Sequence, residues 1–315
     1  MPCFRRCVIR WNLSKWLPPT LATSMFVFMA AQVQAAGEHP QPSKAEIERM
    51  QALYRSINWQ EGPCVAQLGT IAEIKVPQGY RFTGIDGAVK WAELTHNVPN
   101  PNRLGVLRPV DNDEMWTIIF SYDDSGHVSD DEKGKLDAGA ILESIRQGTE
   151  EANNYRRSKG WEAVEIVGWK SPPAYDDETH HLIWALRTRA SGGEGINYNT
   201  RILGRTGVMS ANLVVGNEDF AAAVPTAKKL LGGYSYLSGS KYAEWRAGDK
   251  VAQYGLTGLI TGGLVVAAAK TGLLAKFGVL IAKFAKVIIV AVLALGAGIA
   301  KFFRNIFGGG NKARS

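Results

Sequence analysis

The chain of 315 residues is 46% hydrophobic and 21% charged, and its formal net charge is +7. The positive excess lies at the two ends, because residues 36–250 hold 24 Lys and Arg against 29 Asp and Glu, whereas residues 251–315 hold eight basic residues and no acidic one. A basic balance of this kind does not indicate a nucleic-acid-binding domain, since the globular middle is acidic.

Residues 1–35 are typical of a secretory signal peptide. A basic stretch beginning at Arg5 precedes an apolar run, and the small residues ending at Ala35 mark the expected cleavage point. The alternative is an uncleaved anchor helix, although the apolar run is shorter than the roughly 20 residues that a membrane span needs. Arg5 and Arg6 also resemble a twin-arginine export signal, so two export routes stay open.

Cleavage would remove Cys3 and Cys7 together with the signal peptide. The mature chain then keeps Cys64 alone, which excludes an intramolecular disulfide even in an oxidising compartment. We therefore expect Cys64 to be a small, buried, apolar side chain.

The middle of the chain, residues 36–250, is predicted to be an exported α+β domain. Ser43 and Glu46 form a capping box before a helix with apolar residues at helical spacing, and further helices are expected at 86–94, 137–159 and 220–231. Strands are predicted at 71–76, 104–108, 115–122, 162–170, 179–189, 196–203 and 208–215. Because strands follow one another on short connections, we expect an antiparallel sheet with the helices on one face.

The segment from Ser121 to Glu132 can be aligned with a twelve-residue calcium-binding loop. Asp123 and Ser125 then lie at positions 3 and 5, and Glu132 lies at position 12. Position 1 is a serine instead of a carboxylate, and the segment follows a strand instead of a helix. The alternative interpretation is a strand end, a turn and a helix start capped by Ser129 and Glu132.

Arg201 and Arg205 flank a glycine turn and are candidates for contact with a phosphate, an acidic glycan or a partner. The alternative is a polar turn with surface arginines.

His180 and His181 are adjacent in a predicted strand, so their side chains point to opposite faces and cannot bind one metal ion together. The sequence contains no nucleophile elbow, phosphate-binding loop, dinucleotide fingerprint or zincin motif, so we assign no catalytic residue and no cofactor.

The C-terminal region 251–304 predicts one or two transmembrane helices. The uncharged run 251–269 would be about 28 Å long as a helix, close to the thickness of the hydrocarbon core. Lys270 follows at once, and further lysines after it would lie on the cytoplasmic side, as the positive-inside rule requires.

A second apolar run, 287–300, would be only about 21 Å long as a helix. It either crosses the membrane to complete a hairpin or belongs to an amphipathic element on the inner leaflet. Residues 305–315 form a short basic tail. Gly258 and Gly262 have the spacing that permits close contact between helices, which suggests self-association.

Segments that combine aromatic residues with glycine and proline recur along residues 60–300. They include Val76-Pro77-Gln78-Gly79-Tyr80, Tyr122-Asp123-Asp124-Ser125-Gly126-His127, Gly168-Trp169-Lys170-Ser171-Pro172-Pro173, Asn197-Tyr198-Asn199 and Gln253-Tyr254-Gly255. In this order they resemble the bacterial domain-of-unknown-function family 2167, which consists of uncharacterised membrane-anchored proteins. The resemblance implies an exported domain with a C-terminal membrane anchor, and it brings no known activity or catalytic residue.

Together these features favour a protein of the bacterial inner membrane, with residues 36–250 on the periplasmic side. We expect a binding or structural module whose partners are the bilayer and an envelope protein or polymer, and no nucleic acid. The alternative is an envelope hydrolase, to be recognised by a deep cleft with converging carboxylates or histidines. A third possibility is a cationic tail that permeates membranes.

Overall fold

The computed structural model describes residues 43–111 and 113–262 and shows an α+β arrangement of two sheets and five helices in this part of the chain. The helices are α1 (Lys44–Arg55), α2 (Ile85–Leu94), α3 (Ala138–Ser158), α4 (Phe220–Leu231) and α5 (Leu256–Thr261). The strands are β1 (Gln60–Glu61), β2 (Cys64–Leu68), β3 (Ala72–Val76), β4 (Tyr80–Thr83), β5 (Arg103–Pro109), β6 (Trp116–Asp123), β7 (Glu165–Asp176), β8 (His181–Ala190), β9 (Gly193–Leu203), β10 (Val208–Gly216) and β11 (Tyr234–Tyr236).

The larger sheet has eight strands in the order β1-β4-β5-β6-β10-β9-β8-β7, and the smaller sheet has the order β11-β3-β2. Every strand pairing in both sheets is antiparallel. The predicted α+β fold with a large antiparallel sheet is therefore confirmed.

The large sheet is covered on both faces. On its first face, the small sheet and α4 enclose a core that includes Phe120, Met209 and Leu230. On its second face, α1 and α2 cover one end around Trp91, whereas α3 and α5 cover the other end around Trp184.

The prediction that the helices lie on one face is therefore wrong. The reason is visible in β8, where Leu182 and Trp184 are buried on the second face while Ala185 is buried on the first. A strand that is apolar in both directions must be covered on both sides.

Capping side chains mark where α1 and α3 begin. Ser43 Oγ accepts a hydrogen bond from the Glu46 backbone N at 3.2 Å, and Glu46 Oε2 accepts from the Ser43 N at 2.7 Å, which confirms the capping box of α1. Asp137 caps α3 by accepting from Gly139 N and Ala140 N at 2.9 and 3.0 Å. The predicted alternative, a helix that starts with a capping box of Ser129 and Glu132, is wrong, because residues 133–135 form only a single 3₁₀ turn.

Residues 250–262, the C-terminal segment, pack against the domain. The Ala252 N donates to His127 O at 2.9 Å, and the His127 N donates to Lys250 O at 2.8 Å. Leu256 of α5 is completely buried, and the helix ends at Gly262, whose φ is 66°.

Across the described part of the chain, the helices are too short or too polar to cross a membrane. The predicted signal peptide 1–35, residues 263–269 of the first predicted span, the second run 287–300 and the basic tail 305–315 lie outside the described residues.

Candidate functional site

A cavity of about 680 Å³ lies on the second face of the large sheet, between its central strands and the C-terminal segment. Ser121, Ser210 and Arg201 line it from β6, β10 and β9, and they are direct register partners across these three strands. The other side chains that line it include Asn100, Asn102, Asp123, Ser125, Lys250, Gln253 and Tyr254.

Ser121, Ser210 and Arg201 form the floor of the cavity. The floor is polar because the side chains of each strand point alternately to the two faces of the sheet. In β10, Met209, Ala211 and Leu213 point into the first core, so Ser210 and Asn212 point to the second face. Because the helices of the second face lie at its two ends, the middle of this face is left to polar side chains.

Arg201 is the principal charged group of the floor. Its Nη1 donates to Asn212 Oδ1 at 2.8 Å, and its guanidinium carbon lies 4.7 Å from the centroid of the Trp184 ring. No carboxylate of the described residues forms an ion pair with it. Burial lowers the pKa of Arg201 to about 10, while Asp123 acts in the opposite direction. The guanidinium is still charged at neutral pH.

The other charges around the cavity are already held by neighbours. The Tyr254 hydroxyl donates a hydrogen bond to Asp123 Oδ2. Burial is the largest cause that raises the pKa of Tyr254 to about 12. Lys250 donates to the backbone oxygen of Asp124 and forms an ion pair with its carboxylate at 3.7 Å. Asp123 is the one carboxylate among the described residues that line the cavity. A pair of carboxylates for acid–base chemistry is therefore not assembled by these lining residues.

The three calcium candidates all lie near the C-terminal segment. Asp123 accepts from Tyr254, Ser125 lines the cavity, and Glu132 Oε2 accepts from the Thr257 N at 3.2 Å. Within residues 43–111 and 113–262, no group of three or more His, Cys, Asp or Glu side chains could hold a metal ion. Calcium binding by the loop 121–132 stays a prediction.

Arg205 does not share a site with Arg201. Its Nε and Nη2 donate to the two oxygens of Asp249 at 2.7 and 2.8 Å, a bidentate pair. The hydrogen bond from Arg205, and then that from the Arg246 N, lowers the pKa of Asp249 to about 2. Arg205 thus holds residues 246–249 in place immediately before the C-terminal segment, whereas Arg201 lines the cavity.

Comparison with known proteins identifies the family. A profile of the family described as "Protein of unknown function (DUF2167)" matches residues 60–296. The chain belongs to the DUF2167 family. No curated protein sequence matches it.

Two solved structures are distantly similar to this DUF2167 protein. Cyanobacterial PsbP (CyanoP) from Synechocystis sp. PCC 6803 is 14% identical, covers 57% of this chain and 94% of its own, and has a TM-score of 0.34. The Ran-binding protein Mog1p of Saccharomyces cerevisiae is 12% identical, covers 61% of this chain and 100% of its own, and has a TM-score of 0.27. Scores this low carry no argument about function.

Cys64, His180 and His181 of the DUF2167 protein, which were also considered from the sequence, each pack within the domain. Cys64 is a free cysteine that packs against the first core, and it is partly buried where full burial was expected. His180 Nδ1 lies 3.2 Å from the hydroxyl of Tyr175, and its ring lies 4.7 Å from that of Tyr242. His181, which begins β8, has its pKa lowered chiefly by burial.

Sequence reasoning missed most of the cavity, namely Ser121 as a floor residue, Ser210, Lys250 and Tyr254, and it missed Asn212 as the acceptor of Arg201. One signal for it was present, since Ser210 and Asn212 alternate with apolar residues in β10. That alternation indicates a strand with one polar face. It does not indicate which elements close over that face.

Proposed function

We propose that this DUF2167 protein is a binding module of the cell envelope that holds an acidic group of an envelope polymer beside Arg201. The observation that carries the proposal is the guanidinium at the cavity floor, which donates to the amide oxygen of Asn212, feels the charge of Asp123 and forms no ion pair within the described part of the chain. A partly buried charge is costly unless an opposite charge or several hydrogen bonds offset its lost hydration. An anionic ligand would supply both.

The rest of the lining suits a polyhydroxylated ligand, such as an acidic glycan. Ser121 and Ser210 offer hydroxyl groups on the floor, and Asn100 and Gln253 offer amides around it. These groups both donate and accept hydrogen bonds, as sugar hydroxyls do. The volume of about 680 Å³ also lies within the range usual for small-ligand sites.

We further propose that residues 1–35 direct export, that the domain 36–250 faces the periplasm, and that residues 263–304, the part of region 251–304 beyond the segment that packs into the domain, anchor it. Support comes from the acid-free, apolar stretch 251–315 of the sequence. The C-terminal segment forms one wall of the cavity and leads in sequence directly to residues 263–304. The ligand would therefore bind close to the membrane surface.

Self-association through Gly258 and Gly262 stays a prediction. In the structure Gly258 lies against Tyr254, since a Cβ added at Gly258 would come within 2.6 Å of the Tyr254 Cβ. Packing inside the domain therefore gives one reason for a small residue at this position.

The proposal is tested by titrating the full-length protein in detergent with oligoglucuronate, and with neutral oligoglucose as the control ligand. Arg201→Gln should weaken oligoglucuronate binding by about 10- to 100-fold, because one charge-assisted hydrogen-bonding partner is lost. Oligoglucose should bind neither protein measurably.

Arg205→Gln is the matched control, because it removes the same charge four residues away and outside the cavity. It should lower the Tm and leave the Kd for oligoglucuronate within about 2-fold. An unchanged Kd in Arg201→Gln, or an equal loss in both variants, would contradict the proposed site.

A further inference from the structure

We propose a second anion-binding site on the same sheet face, outside the cavity, in which Arg81 of β4 and Arg108 of β5 hold a phosphate group. This arginine pair lies under α1 and α2, at the end of the second face that is closed by Trp91. The arginine pair lies on different strands from those that line the Arg201 cavity, so this proposal can be tested independently of the proposed function.

The register places the two arginines directly opposite each other across β4 and β5. Like charges at directly opposed positions of an antiparallel pair destabilise it. Glu61, the register partner of Arg81 on β1, forms no ion pair with it. Neither arginine has a carboxylate within ion-pair distance among the described residues.

Both guanidinium groups are withdrawn from water and stacked on aromatic rings. Arg108 is only 4% exposed, and its guanidinium carbon lies 5.2 Å from the centroid of the Trp91 ring. Arg81 is partly buried, and the corresponding distance to the Trp59 ring is 4.8 Å. Stacking holds the planar groups in place and leaves their N–H donors available.

The hydrogen-bonding capacity of this cluster is largely unused. Arg81 Nη2 donates to the Tyr54 hydroxyl at 2.7 Å, which is a neutral acceptor. Arg81 Nε, Arg108 Nε and Trp59 Nε1 are buried donors without any acceptor in the described structure. Buried donors are almost always paired in folded proteins, so three of them in one cluster point to an acceptor with several oxygens.

A phosphate group fits these requirements better than a carboxylate does. It carries up to two negative charges for the two guanidinium groups, and it has enough oxygens to accept from more than one N–H donor of each. The phosphate could be free or esterified, and the two sources are distinguished by the probes below.

The test compares thermal unfolding of the full-length protein in inorganic phosphate, in glycerol phosphate and in chloride of equal ionic strength. We expect phosphate at about five times its Kd to raise the Tm by about 2–4 °C above the chloride value. Arg81→Gln should abolish the rise. Arg55→Gln, an exposed arginine on α1, should retain it.

Arg201→Gln should also retain the rise, which separates this site from the cavity. A rise with inorganic phosphate alone supports a free ligand, and a rise with glycerol phosphate alone supports an ester. The proposal is overturned if neither inorganic phosphate nor glycerol phosphate raises the Tm above the chloride value, or if Arg81→Gln keeps the full rise. It is equally overturned if the rise depends on Arg201. Arg81 is the preferred variant because it is less buried than Arg108, whose replacement is more disruptive to folding.

Discussion

At the scale of single residues, the surroundings of Arg201 and Arg205 separate two arginines that the sequence presents as a pair. Arg205 has a carboxylate partner in Asp249, 44 residues further along the chain, and Arg201 has none among the described residues. The sequence predicted that two basic side chains flank a turn. It could not predict which of them is neutralised, because the partner comes from a segment distant in sequence.

The Arg205–Asp249 pair makes a prediction about acid stability. The pKa of Asp249 is lowered from its ordinary value of 3.8 to about 2. The ionised carboxylate therefore stabilises the fold above pH 4, and this contribution is lost as the pH falls through about 2. Asp249→Asn should lower the Tm at pH 6, and the difference from the wild type should shrink towards zero by pH 2.

Thermal unfolding between pH 2 and pH 7 provides the measurement. Glu178→Gln removes an equal charge from an exposed side chain and should shift the Tm little across that range. A Tm difference for Asp249→Asn that is independent of pH would show that the pair contributes packing and not charge.

At the scale of elements, the helices were the most predictable part of the fold. The predicted capping box at Ser43 is found at the start of α1, and the predicted start of the helix 137–159 coincides with the N-cap of α3 at Asp137. Such signals are local, since the cap and the backbone it satisfies lie within three residues.

Short strands were missed for a physical reason. The strands β1 and β11 have only two and three residues, too few for an alternating pattern to be recognised. β7 runs through Pro172 and Pro173, which sequence reasoning took as a break. Proline is tolerated there because β7 is an edge strand with irregular register.

The helix α5 makes the prediction that belongs to this scale. Leu256 is fully buried in the core formed with Trp184 and Ile141, so part of the region predicted as membrane-associated also packs into the domain. Leu256→Ala should lower the free energy of unfolding of the domain by about 2–5 kcal/mol. Guanidinium unfolding of the full-length protein, followed by tryptophan fluorescence, provides the measurement.

Val251→Ala is the control, because Val251 is 56% exposed and its truncation should change the free energy by no more than about 0.5 kcal/mol. If Leu256→Ala has as small an effect as Val251→Ala, then α5 does not stabilise the domain in solution.

At the scale of the whole molecule, the distribution of charge in space differs from the distribution in sequence. Residues 36–250 are acidic in sum, yet one face of the large sheet carries Arg81, Arg103, Arg108 and Arg201. None of these four forms an ion pair within the described part of the chain. A charge count over the domain averages this basic face with acidic loops, and so cannot detect it.

The basic face also explains why the domain has a candidate site without a recognisable motif. The side chains that line the cavity come from three strands, from the loops before β5 and after β6 and from the C-terminal segment, and their spacing in sequence follows no pattern. Antiparallel pairing brings Ser121, Ser210 and Arg201 side by side, although Ser210 lies 89 residues after Ser121 in the chain. Only the register of the sheet assembles them.

Photo-crosslinking in living cells tests most directly whether the Arg201 cavity binds an envelope polymer. A photoreactive amino acid replaces Gln253, an exposed residue of the cavity lining, and Val65 of β2 is the control position outside it. We expect a glycan-containing adduct at position 253, none at position 65, and a markedly weaker adduct when Arg201→Gln is added. No adduct at position 253, or an adduct of equal yield without Arg201, would contradict the proposed function.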